Sequence, residues 1–150
     1  MIRDTFPWSD NVLVQVWDPS SGVELERFSI HNLMTNAGKT WAATRMGSNS
    51  VGPITHFAIG TGTTASSVAQ TALVAEAWRD TVTSVSALAV GQAKFSYYLS
   101  SGTLNGTTLG EIGLFTAGVG GTMVARAVLT PTIAKIASKA VTFSWNITGV

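Results

Sequence analysis

The chain has no cysteine, little charge and no long apolar run. Without cysteine there is no disulfide framework and no thiolate metal site, so nothing in the sequence points to an oxidising compartment. Charged residues make up 11% of the 150, against about a quarter in ordinary soluble domains. Nine basic and eight acidic side chains leave a net charge of +1. Such a chain has no broad field to hold nucleic acid or an anionic membrane. No segment reaches the ~18 uninterrupted apolar residues of a bilayer-spanning helix. The opening Met-Ile-Arg-Asp-Thr-Phe-Pro-Trp does not read as a signal peptide, because an acidic residue and a proline stand where the apolar region would begin. Disorder requires low hydrophobicity and high net charge, whereas 45% of these residues are hydrophobic.

Small polar residues fill the gap, with 20 Thr, 15 Ser and 15 Gly. The polar surface is therefore made of hydroxyls more than ions. A mean hydropathy of +0.30 is high for a free monomer. With no membrane span to absorb it, this excess predicts a large partner surface. The length suits one domain, read as a single β-rich domain over residues 1–150.

The dominant hydrophobic period is two, the period of half-buried strands. Val141, Phe143, Trp145 and Ile147 alternate with Thr142, Ser144, Asn146 and Thr148. Phe95, Tyr97 and Leu99 alternate in the same way with Lys94, Ser96, Tyr98 and Ser100. Residues 82–90 read as a further strand, joined to the next through a turn at Gly91-Gln92. Residues 111–115 and 122–129 form a candidate pair across the glycine-rich 118–121. Residues 12–17 and 23–30 flank Asp18-Pro19-Ser20-Ser21-Gly22, which has turn chemistry. The pattern of the second strand slips near Glu26-Arg27 and predicts a bulge there. Residues 54–59 make a short strand leading into Gly60-Thr61-Gly62, a tight exit using glycine where φ is positive. One helix is expected over residues 36–46, capped by Thr35. Residues 71–78 read as a second short helix or a turn. The fold class is thus all-β, a sandwich or barrel of seven or eight strands with one short helix. Residues 1–11 carry no strand pattern and read as an N-terminal arm.

An enzyme has little to work with here. His56 sits inside an apolar strand, where a packed, hydrogen-bonded imidazole is the stronger reading, and His31 ends a strand. Two histidines without a carboxylate pattern do not make a zinc site. Gly38-Lys39-Thr40 resembles the end of a phosphate-binding loop, but Leu33 stands where the first glycine belongs. Lys39 is better read as an exposed residue of the first helical turn. No Gly-x-Ser-x-Gly elbow occurs. Glu24 and Glu26 are two apart on a strand and read as a solvated face. Asn105-Gly106-Thr107 and Asn146-Ile147-Thr148 fit the glycosylation pattern, but without a signal peptide they carry no weight. No cofactor and no catalytic residue is expected.

Two other groups of residues stand out. Glu111 and Arg126 each sit inside an apolar strand; if those strands pair, the two can meet as a partly buried ion pair. Arg79, following Glu76 and Trp78, is a third candidate for that network, either structural or at an oligomer seam. Trp145 and Trp41 follow inward phases, but Phe6, Pro7 and Trp8 belong to no core pattern. An apolar arm outside the core suits docking onto another chain. Trp17 and the hairpin over residues 12–30 are candidates for the same contact, by strand addition.

Several segments, in their order and spacing, resemble a family of small tailed-bacteriophage structural proteins. They begin with His31-Asn32-Leu33-Met34-Thr35-Asn36-Ala37-Gly38 and Phe57-Ala58-Ile59-Gly60-Thr61-Gly62-Thr63-Thr64-Ala65. Thr71-Ala72-Leu73 follows, with Glu76 and Arg79. The later pieces are Glu111-Ile112-Gly113-Leu114-Phe115, then Gly121-Thr122-Met123-Val124-Ala125-Arg126-Ala127, and Lys139 with Val141-Thr142-Phe143-Ser144-Trp145. The likeness covers residues 30–150 and leaves out the arm and the hairpin. It implies a β-rich virion component made in the host cytoplasm, not an enzyme, and either a head decoration (cement) protein or a tail-fibre or collar protein. A short chain without a repetitive shaft favours decoration, as does a hydroxyl-rich, nearly neutral surface suited to dense repetition. The expected partners are then the major capsid protein and further copies of the chain in a homotrimer at the capsid surface, with no nucleic acid and no membrane.

Overall fold

In a computed structural model, which describes residues 11–87 and 91–148, nine antiparallel strands form one curled sheet. They are β1 (Asn11–Asp18), β2 (Val23–Met34), β3 (His56–Gly60), β4 (Glu76–Thr81), β5 (Ser84–Ala87), β6 (Gln92–Leu99), β7 (Thr108–Phe115), β8 (Met123–Ala134) and β9 (Ala140–Thr148). Their order across the sheet is β4-β3-β7-β8-β2-β1-β9-β6-β5. The long β2 turns the corner. Its first part pairs with β1, and Asn32, Leu33 and Met34 pair with β8. At the far side, β4 runs into β5 through Val82 and Thr83. Val82 donates to Thr55 O (3.0 Å) and Thr83 to Ser96 O (2.7 Å). The two edge strands are therefore neighbours in sequence, and the sheet curls into a half-barrel.

The alternating residues fill the inside. Val12, Val14 and Val16 of β1, Phe95, Tyr97 and Leu99 of β6, and Val141, Phe143, Trp145 and Ile147 of β9 are all buried. Phe57 of β3 crosses the interior to the opposite half. It stacks on Tyr97 (4.9 Å, 8°) and touches Phe143 (5.1 Å) and Trp145 (6.1 Å, edge-on). The Trp78 indole N–H donates to the Tyr97 hydroxyl (2.7 Å) and ties β4 to β6.

The helix α1 (Asn36–Gly47) forms where expected. Thr35 Oγ1 accepts from Gly38 N (2.9 Å) and donates to Met123 O (2.7 Å), so one hydroxyl caps the helix and anchors it to β8. Gly38 is required by space: a Cβ there would run into the Val124 carbonyl oxygen. Lys39 is exposed.

Three local expectations are revised and one is located. Residues 71–75 are not helical, and the following residues form β4, a strand beyond the seven or eight expected. Trp78 joins the ladder opposite Ile59, while Val74 and Ala75 give their N–H groups to Glu111. The bulge expected near Glu26-Arg27 is present: the register shifts between Val16 and Trp17, which pair with Glu26 and Glu24, so Leu25 is the extra residue. His31 does not end its strand, because pairing with β8 carries β2 on to Met34. Gly60 and Gly62 are not among the glycines with positive φ; crowding, described below, explains them.

Candidate interaction surface

Outward-facing residues of a sheet are normally wet, yet one outer face here is roofed. Phe57 and Ile59 of β3 and Ile112 and Leu114 of β7 point to the core. Ala58, Glu111, Phe115 and Arg126 therefore point out. Residues 61–75 lie across them as a loop whose ends meet, with Thr61 N donating to Ala75 O (2.9 Å). Leu73 from this loop packs with Ala58, Phe115 and Met123 in a small second core.

The expected encounter of Glu111 and Arg126 occurs under this roof. Arg126 Nε lies 2.8 Å from Glu111 Oε2, with the side chains 1% and 0% exposed. The pair is buried fully, not partly, because the loop covers it. Glu111 Oε1 accepts from Gly62 N (3.2 Å) and Ala75 N (2.7 Å), and Oε2 from Val74 N (3.0 Å) as well as Arg126. Arg126 turns its other nitrogens to the loop, reaching Thr64 O (2.9 Å), Ser66 Oγ (3.2 Å) and Gln70 Oε1 (3.2 Å). Close approach requires the glycines. A Cβ on Gly60 would lie 2.5 Å from Ala75 O, and one on Gly62 2.6 Å from Glu111 Oε1. Both charges thus fasten a surface loop to the sheet.

Burial pushes the Glu111 carboxyl up, but the Ala75 and Val74 N–H groups and the Arg126 guanidinium outweigh it and hold it below its ordinary value. The stabilisation this represents is complete above the unfolded value near 4.5 and is lost as pH falls through the lower folded value. Acid titration followed by amide exchange should therefore show the amides of Val74 and Ala75 losing protection in that acid range. Protection unchanged down to global acid unfolding would refute this.

Arg79 does not join the pair. Its Nε and Nη2 bond to Glu76 (2.8 and 2.7 Å), and its guanidinium lies 3.6 Å from the centre of the Phe115 ring. Its Nη1 reaches Ala117 O (3.0 Å) and Gly120 O (2.8 Å), fixing the glycine-rich turn with Val119 94% exposed near its tip. Two arginines therefore fix two adjacent loops on one face.

The other half of the sheet carries hydroxyl-rich rows on the face turned away from the core. Ser84, Ser96, Ser144, Leu13 and Ser29 are successive ladder partners across β5, β6, β9, β1 and β2. Tyr98, Thr142, Gln15 and Arg27 form the next row. Tyr98 is 47% exposed. Trp17 is half-buried beside the register shift. The Glu24 and Glu26 face is solvated but paired, Glu24 with Arg27 and Gln15 and Glu26 with Lys139. Phe6, Pro7 and Trp8 lie outside the described residues.

Lys135, which directly follows β8, gave no sequence signal. It is buried and donates to Asn105 Oδ1 (2.9 Å), Ser101 O (3.2 Å) and Ile136 O (3.3 Å), clamping the turn before β7; burial lowers its pKa. His56 is half-buried, with Nδ1 2.8 Å from Thr55 Oγ1, and His31 is exposed. Among the described residues no group of three or more His, Asp or Glu is placed to hold a metal ion. No helix among them is long and apolar enough to cross a membrane. An apolar cavity of about 230 Å³ opens between α1 and the ends of β6 and β9. Compared with known proteins, the chain matches no family model, no curated protein and no solved structure.

Proposed function

We propose that this chain is a structural protein of a bacteriophage virion, a decoration (cement) protein that binds the outer capsid as an oligomer, most simply a homotrimer on the major capsid protein. The observation that carries the reading is the use of charge. The fully buried ion pair organises the surface loop 61–75, and a second arginine organises the neighbouring turn. A protein whose work is contact benefits from surface already ordered before binding, since ordering it on binding weakens affinity. The resemblance over residues 30–150 supports a virion role, and the hydroxyl-rich row of Ser84, Ser96, Ser144 and Ser29 suits a crowded lattice. A cement protein that touches several capsid subunits stabilises only the assembled shell, by mass action, and its linked contacts add avidity.

A tail-associated role, in a fibre, a collar or a receptor-binding tip, is the second reading, favoured by the exposed ring of Tyr98 as a stacking surface for sugar. Labelled protein separates the two. Added to capsids lacking it, a cement protein coats heads and raises their resistance to heat. Because the surface is nearly neutral, binding should change little between low and physiological salt. Staining of host cells with bare heads would overturn decoration in favour of the tail.

A further inference from the structure

The cavity beside α1 has walls of hydrocarbon. Met34, Ala42, Ile54, Phe95 and Ile147 are buried around it, and Met46, 79% exposed, stands at its rim. The polar atoms of two neighbouring side chains turn to the loop after α1. Trp41 Nε1 donates to Gly52 O (2.8 Å) and Arg45 Nη1 to Val51 O (2.9 Å). Water in such a space finds few partners, whereas an apolar guest gains by leaving water. A cavity of about 150 Å³ holds benzene, and drug-sized ligands need about 300–1,000 Å³. At about 230 Å³, this one is sized for one substituted ring or a short branched chain.

A second, independent observation is the charge beside it. Arg27, Arg45, Arg79 and Arg126 are the arginines among the described residues. Arg27, Arg79 and Arg126 each bond to a glutamate. Arg45 differs: among the described residues no carboxylate pairs with it, although it lines the cavity and is exposed. Its Nη1 is engaged only by the neutral Val51 carbonyl. The other N–H groups of a guanidinium form a planar fork that matches a carboxylate. In a chain with so few charges, an arginine without a carboxylate therefore borders a cavity without a polar wall.

We infer that this cavity binds a small amphipathic carboxylate, its apolar body among Met34, Ile54, Phe95 and Ile147 and its carboxylate on Arg45. The apolar walls set the fit and the single cation sets the orientation. The inference goes beyond the capsid reading and does not depend on it. The test is a methyl NMR titration of the full chain with para-isopropylbenzoate. The methyl signals of Met34, Ile54 and Ile147 should shift and saturate, while those of Val141 and Leu99 stay in place. Para-isopropylbenzamide has the same shape without the charge and should bind about tenfold or more weakly. The benzoate should lose about as much affinity for Arg45→Gln, a substitution at an exposed position that leaves the core unchanged. Acetate, with the charge but no apolar body, should leave the methyl signals unmoved. Absence of saturable shifts with the benzoate overturns the inference. Equal binding of benzoate and benzamide, or undiminished binding to Arg45→Gln, also overturns it, because charge would then have no part in recognition.

Discussion

Glu111→Gln should be among the most damaging single substitutions in the protein, lowering stability by about 3–5 kcal/mol. The carboxylate accepts four hydrogen bonds, two on each oxygen. Glutamine has one acceptor oxygen and a donor NH₂. Whichever way the amide turns, its NH₂ meets two N–H donors, and Arg126 is left buried without a counter-ion. At roughly 2–4 °C per kcal/mol for a chain of this size, the melting temperature should drop by roughly 6–20 °C. Calorimetry reads the total, and amide exchange reads where it falls. The amides of Gly62, Val74 and Ala75 should lose protection before those of β9. Replacing both charges with apolar residues can rescue some buried pairs. Here it should not, because three backbone N–H groups would still lose their acceptor. A Glu111→Leu, Arg126→Met double variant as stable as the native chain would show that the pair does not hold the loop.

Phe57→Ala should cost about 3–5 kcal/mol by a different route. The ring contacts Tyr97, Phe143 and Trp145 and joins the two halves of the curl. Its removal leaves a void that the stiff strands around it close poorly, and it forfeits aromatic contacts worth about 0.5–1.5 kcal/mol per pair. In a domain whose total stability is about 5–15 kcal/mol, this approaches the limit for folding. Urea unfolding should show a much lower midpoint, with amides throughout β3, β6 and β9 losing protection together. Selective loss in the 61–75 loop, with the strands intact, would place Phe57 outside the connection between the halves.

The difference between these two variants reflects what was legible in the sequence. A strand buried on one face writes that burial into its own alternation, so Val141 to Ile147 and Phe95 to Leu99 could be read directly. Thr35 was legible as a helix cap because capping is local. Glu111 and Arg126 were legible as a pair because each interrupts an apolar strand and the strands adjoin. The roof over them was not, since no period within residues 61–75 records what lies beneath. Its trace is indirect: Ala58, Gly60 and Gly113 are small at outward positions, leaving room for another segment. The edge strand β4 was missed for a related reason. Its residues are largely exposed, so it lacks the apolar alternation that marks the inner strands. Lys135 resembles any surface lysine until the chain folds the 101–106 turn over it.

The proposed role rests on many copies of one ordered surface meeting a repeating lattice, so the most direct test is copy number. Quantitative mass spectrometry of purified virions, with isotope-labelled peptides of this chain and of the major capsid protein as standards, measures it. A decoration protein predicts hundreds of copies per particle, in fixed ratio to the capsid protein and retained on tailless heads. A handful of copies that leave with the tail, or none in the particle, would contradict the account.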